Sequence, residues 1–165
     1  MTPEIAIYLV QILNLFAFLT IALWFVVPRL RNLSRVNALM ALVSVHLGRT
    51  LALQIYASQA AGMKVSDTFR DRVVVGDLAG WAIAIALLFS LRYRSRLSVP
   101  LTWLLIAETV FDLGSSTIEG IQEGVIGSAN GTTWLIVAFY VPVMQVSLGL
   151  TVWQLLTRRS EPLTR

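Results

Sequence analysis

Five residues able to carry charge or a proton lie inside stretches otherwise apolar enough for a lipid bilayer: His46, Arg49, Asp77, Glu108 and Asp112. An ionisable side chain near the bilayer centre costs roughly 2.5–3.5 kcal/mol on insertion scales. Five in one short chain either neutralise one another or do chemistry. The chemistry open to these residue types is proton exchange, recognition of a charged ligand, and general acid–base catalysis. At α-helical pitch His46, Arg49, Leu53 and Tyr56 share one face, at i, i+3, i+7 and i+10. Glu108, Asp112, Ser115 and Glu119 follow i, i+4, i+7 and i+11. Such a polar ridge finds no partners in lipid, so it is expected to line the bundle interior or a wet cavity, as a polar path from outside.

Charge counting sharpens the reading. Asp77, Glu108 and Asp112 face one guanidinium, Arg49. Desolvation and like-charge repulsion both favour neutral carboxyls, so at least one acid is expected to hold its proton at neutral pH. Glu108, the deepest, is the candidate, with His46 at similar depth to share that proton. Asp77 matches Arg49 in depth and is expected to pair with it. Trp81, a turn deeper, and Tyr140 are expected to shape the pocket. Pro142 removes a backbone donor and frees the carbonyl of Ala138. Gln11 and Asn14, three residues apart in an otherwise greasy segment, need partners inside the bundle. Gly76, Gly80 and Ala84 repeat every four residues, a pattern that brings helix backbones close.

The elements that hold these residues follow from composition. Of 165 residues, 56% are hydrophobic and 13% charged, and mean hydropathy is +0.73. That is an integral membrane protein rather than a soluble domain. Apolar segments run over about 5–27, 36–60, 73–91, 99–118 and 132–156. Each has roughly the 20 residues that cross a hydrocarbon core. The expectation is an all-α, single-domain bundle of five transmembrane helices over 1–165. The first segment has no basic leader and no cleavage site, and is read as a retained span. Arg29, Arg31, Arg35, Arg92, Arg94, Arg96, Arg158, Arg159 and Arg165 all fall on one side of a five-span chain. The positive-inside rule then places the N-terminus outside and the C-terminus in the cytoplasm of a bacterial inner membrane. Trp24, Trp103, Trp134 and Trp153 lie near span ends and read as interfacial anchors.

Several functions drop out. There is no cysteine and one histidine, so thiolate sites, disulfides and multi-histidine metal centres are excluded, and no metal or cofactor is expected. The basic pI of about 10.1 reflects topology, and no basic stripe interleaved with exposed aromatics suggests nucleic acid. In size and span count the chain resembles the tryptophan-rich sensory/translocator proteins, but its first loop, PRLRNLSRV, lacks their tryptophans. Its buried acids with a histidine resemble sterol-isomerase-like membrane families. No residue role is carried over from either. The leading expectation is a cavity open to the outside that binds a small polar or amphipathic, lipid-like molecule or moves protons or solute. Arg49 would anchor an anionic group or pair with the acids. The same residues serve an acid–base enzyme acting on a lipid or isoprenoid, or a non-catalytic subunit of a larger membrane complex or homodimer.

Overall fold

The structure, a computed structural model, describes residues 1–163; Arg165, the last of the nine arginines above, lies outside the described residues. Every regular element among them is helical. Helices α1 (Pro3–Arg31), α2 (Arg35–Ala60), α3 (Asp67–Arg92), α4 (Ser98–Gln122) and α6 (Gly131–Thr157) form the bundle, and a short α5 (Val125–Ser128) precedes the last. α1, α2, α3 and α6 are long and apolar enough to cross a membrane. α4 is as long but is not among them, carrying Glu108, Asp112 and Glu119 along its length.

The helix ends follow from local chemistry. Thr2, Ser34 and Ser66 cap α1, α2 and α3, each hydroxyl accepting from the N–H three residues on. Ser66 also donates to Glu123 at 2.7 Å, tying the start of α3 to the end of α4. At the other end of this antiparallel pair the Ser90 and Ser98 hydroxyls meet at 3.1 Å. α4 therefore runs the full length of α3. At the same end as Ser90, Arg158 donates to the carbonyls of Leu30 and Leu33 at the α1–α2 turn. That end gathers the arginines of the α1–α2 and α3–α4 turns with Arg158 and Arg159, which follow α6.

Three stretches depart from α-helical pitch. Ala22–Val26 in α1 and Ile136–Tyr140 in α6 wind as π-helix, each ending two residues before a proline, Pro28 and Pro142. A proline lacks the donor and crowds the carbonyl four residues back, and the wider turn relieves both. The carbonyls of Val137 and Ala138 then accept from Gln11 Nε2 at 3.1 Å and Asn14 Nδ2 at 2.7 Å. The isolated amides of α1 thus meet the carbonyl that Pro142 was expected to release. The third stretch, Ser44–Leu53 in the middle of α2, is a 3-10 helix of ten residues. Runs longer than three or four are uncommon.

The two halves of the bundle pack differently. Toward the arginine-rich end Leu39, Val43, Ala84, Leu87, Leu91, Leu105 and Leu155 form a dry core. Toward the opposite end Ile55, Met63, Phe69, Val74 and Val125 make a smaller cluster. Between them lie the charged residues.

Candidate functional site

Arg49 is wholly buried, and the acids of two neighbouring helices close around it. Its Nε donates to Asp77 Oδ1 at 2.8 Å. Nη1 donates to Glu108 Oε2 at 2.5 Å and to Thr109 Oγ1 at 3.2 Å. Nη2 donates to Glu108 Oε1 at 3.0 Å and Asp112 Oδ2 at 2.6 Å, with the carbonyl of Gly76 at 3.5 Å. A guanidinium has five N–H donors, and all five are engaged. No donor is left to anchor an anionic ligand, so of the two expectations for Arg49 the structure shows pairing with the acids.

Glycines make room for this arrangement. A Cβ on Gly80 would fall on the Arg49 guanidinium, and one on Gly76 would fall on the Asp112 carboxyl. The small-residue spacing on α3 therefore seats side chains of α2 and α4, beyond the backbone approach that the spacing alone suggests. Thr109 and these two glycines are site components that the charge pattern does not mark.

The acids are not equivalent. Glu108 spends both oxygens on Arg49, the two-point grip that matches carboxylate to guanidinium. Asp77 and Asp112 each spend one. Their other oxygens, Asp77 Oδ2 and Asp112 Oδ1, have no hydrogen bond among the described residues. Asp77 and Asp112 line a cavity of about 180 Å³, together with Arg49, Gln11 and Tyr140 at its polar end. Glu108 does not line it. The remaining wall is mostly apolar, including Ile55, Phe69, Val73, Leu113, Val137 and Met144. Tyr140 donates its hydroxyl to the carbonyl of Val45 at 3.0 Å, and its ring lies against Gly48, where a Cβ would come within 2.7 Å of Cε2. A larger residue at 48 would push the ring into the cavity.

Four expected features fall elsewhere. Tyr56 is exposed, donates to Asp71 at 3.1 Å and carries Arg70 over its ring at 4.6 Å. The cause is the 3-10 pitch. At three residues per turn, residues i and i+3 eclipse. The buried positions of the second half of α2 are accordingly His46, Arg49, Ala52, Ile55 and Ser58, while Leu53 and Tyr56 turn outward. His46 is buried one turn from Arg49, but its Nδ1 has no hydrogen-bond partner among the described residues and it makes no bond to Glu108. Trp81 is half-buried and does not line the cavity. The ridge on α4 divides: Asp112 reaches the cavity, Ser115 donates to its own helix at the carbonyl of Asp112, and Glu119 pairs with Arg72 of α3. Beyond Asp112 the cavity wall mixes the hydroxyls of Ser116, Thr117 and Thr133 with the apolar side chains of Met63, Phe69 and Val125, so no continuous charged ridge lines it.

The arrangement can hold a proton or a cation. One guanidinium against three carboxyls leaves up to two negative charges, since +1 and −3 sum to −2. Burial of that surplus favours a bound counter-ion. No group of three or more His, Asp or Glu among the described residues is arranged to hold a metal ion.

Comparison with known proteins adds a family. The model described as Domain of unknown function (DUF8737) matches residues 6–156. The chain belongs to that family. The match spans all five long helices and every residue of the Arg49 cluster. No curated protein and no solved structure matches the chain.

Proposed function

We propose that this DUF8737 member is a five-span membrane protein that binds a small amphipathic cation in the cavity beside Arg49, in exchange for a proton. Five spans are supported by the full-length pairing of α4 with α3, and an N-terminus outside with the arginine-rich end in the cytoplasm is supported by the gathering of arginines at one end of the bundle. The same pairing buries the acids of α4 against Arg49, which removes the insertion penalty that otherwise sets α4 apart.

One observation carries the functional reading. Asp77 and Asp112 line the cavity and each keeps one oxygen without a hydrogen bond among the described residues, while every Arg49 donor is already engaged, so the cavity offers acceptors rather than donors. An ammonium group would accept that invitation, donating to Asp77 Oδ2 and Asp112 Oδ1. Its apolar body would lie along Val137, Val141 and Met144. For scale, a cavity of about 150 Å³ takes up a benzene, so the ligand is about one ring or a short branched chain in size. In the proposed exchange a proton leaves these carboxyls as the cation enters.

Calorimetric titration of the purified protein with benzylammonium tests this. Binding is expected with proton release, read from the dependence of the heat on buffer ionisation enthalpy. Asp112→Asn and Asp77→Asn are each expected to weaken it at least about tenfold, the scale of one charged hydrogen bond. Benzoate, of the same size and opposite charge, is expected not to bind. Tighter binding of benzoate, or an unchanged affinity in both variants, would overturn the reading.

A further inference from the structure

At the arginine-rich end a second hollow, of about 240 Å³, lies where the starts of α2 and α4 meet the end of α6. It is lined by Arg35, Val99, Trp103, Leu155, Leu156 and Arg159. Arg35 is 8% exposed. Its Nη1 and Nη2 donate to the carbonyls of Glu161 and Leu155, each at 2.9 Å, and its Nε has no partner among the described residues. The nearby carboxylate is already committed: Glu161 accepts from Arg158 Nε and Nη2 and from the Arg35 backbone N–H. Neither guanidinium of the hollow, Arg35 or Arg159, forms an ion pair among the described residues.

A nearly buried guanidinium held by carbonyl dipoles, its one nearby carboxylate hydrogen-bonded to Arg158 and shared between them, next to a second guanidinium with no ion pair among the described residues, concentrates positive charge. The walls distinguish which anion suits it. Val99, Trp103 and Leu156 are 40%, 45% and 46% exposed, an apolar surface continuous with the charged end. A fully hydrated anion gains nothing from such a wall, whereas a lipid brings phosphate and hydrocarbon together. Basic pockets between spans on the cytoplasmic side suit anionic headgroups, with tryptophan at headgroup depth.

We propose that this hollow binds the phosphate of an anionic phospholipid, with Arg35 and Arg159 as donors and Trp103 against the glycerol and upper acyl region. The inference rests on the membrane embedding of α4 and α6 and is independent of what occupies the cavity at Arg49. The test uses the full-length protein in nanodiscs of zwitterionic lipid, with and without phosphatidylglycerol, read by native mass spectrometry and by melting midpoint. Retained phosphatidylglycerol and a raised midpoint are expected. Arg159→Gln is expected to lower retention about fivefold, equivalent to the ~1 kcal/mol of one basic side chain at an anionic surface. Arg94→Gln, at the same end but outside the hollow, is expected to leave retention unchanged. Equal losses in the two variants would reduce the effect to general surface charge and overturn the site. A midpoint rise with inorganic phosphate in zwitterionic nanodiscs as large as that with phosphatidylglycerol would make it a free-anion site and overturn the lipid assignment.

Discussion

Replacing Gly80 with alanine asks whether the glycines of α3 exist to seat Arg49. In an ordinary helix interior the change is favourable, by about 1 kcal/mol of helix propensity. Gly114 of α4, where a new Cβ meets nothing within 4 Å, is the reference for that gain. At Gly80 the Cβ falls on the Arg49 guanidinium, which three carboxylates hold in place and which cannot swing aside as a surface arginine would. Overpacking costs about 1–3 kcal/mol, and each charge-assisted bond pulled out of line forfeits part of about 1.5–3 kcal/mol. The net expectation for Gly80→Ala is a loss of about 2–5 kcal/mol, opposite in sign to Gly114→Ala. Thermal unfolding of the detergent-solubilised protein, followed by circular dichroism, reads both. The cycle is closed in an Arg49→Leu background, or Arg49→Lys should the leucine variant not fold. Without the planar guanidinium, the Gly80→Ala penalty is expected to shrink by at least about half. A raised midpoint for Gly80→Ala, matching Gly114→Ala, would refute the seating argument. So would a penalty that stays unchanged without the guanidinium, since the clash would then be with a helix backbone.

Three further outcomes follow from the same geometry. Arg49→Leu is expected to cost about 3–5 kcal/mol, as removal of one partner from a buried ion cluster does. Asp77→Asn and Asp112→Asn should each cost less, with Glu108→Gln the largest of the three because it breaks the two-point grip; midpoints of the four variants in one detergent give the order. Asn14→Leu is expected to cost about 1 kcal/mol, and less in a Pro142→Ala background, where α6 can supply its own donor to the carbonyl of Ala138; a four-variant melting cycle measures that coupling. Glu161 lies beyond the spanning helices, and the hydrogen bonds of Arg158, then the backbone N–H of Arg35, hold its carboxyl below the usual range. A depressed folded pKa stabilises above the unfolded value, near about 4.3 for Glu, and that contribution disappears as pH falls through the folded one. The midpoint gap between wild type and Glu161→Gln is therefore expected to be full at neutral pH and to close in acid, and a gap that widened in acid would contradict the assignment.

Much of this architecture is legible in the residues alone, and the reasons are physical. A charged side chain in an apolar stretch must find its opposite, so Arg49 and Asp77 at matched depth point to each other before any coordinates exist. Pro142 and the amides of α1 are similarly forced, one freeing an acceptor and the other needing it. What the sequence conceals is pitch. Nothing in SVHLGRTLAL distinguishes three residues per turn from 3.6, and over seven residues the two differ by about 140°, more than a third of a turn. That difference takes Leu53 and Tyr56 off the buried face and substitutes Ala52 and Ile55. The spacing of Gly76 and Gly80 was visible too, but a gap for a side chain and a gap for a backbone look alike until the side chain is in place.

The 3-10 stretch also bears on how the cavity comes to exist. At a rise of about 2.0 Å per residue against 1.5 Å in an α-helix, its ten residues extend α2 by roughly 5 Å, about one α-helical turn. Its narrower cross-section brings Gly48 against the ring of Tyr140 and sets Arg49 directly above His46. Beside it, the π-helical turn of α6 does the opposite, widening where Tyr140 leaves the helix. A tightened helix meets a widened one beside the Arg49 cluster, and the two irregularities are bonded to each other through Tyr140 and the carbonyl of Val45. Regular helices at these two places would bring Leu53 in and rotate Tyr140 away. The acids would keep their arginine but lose the apolar space beside it. The cavity and the charge cluster are thus products of different features, the one of helix pitch and the other of charge pairing.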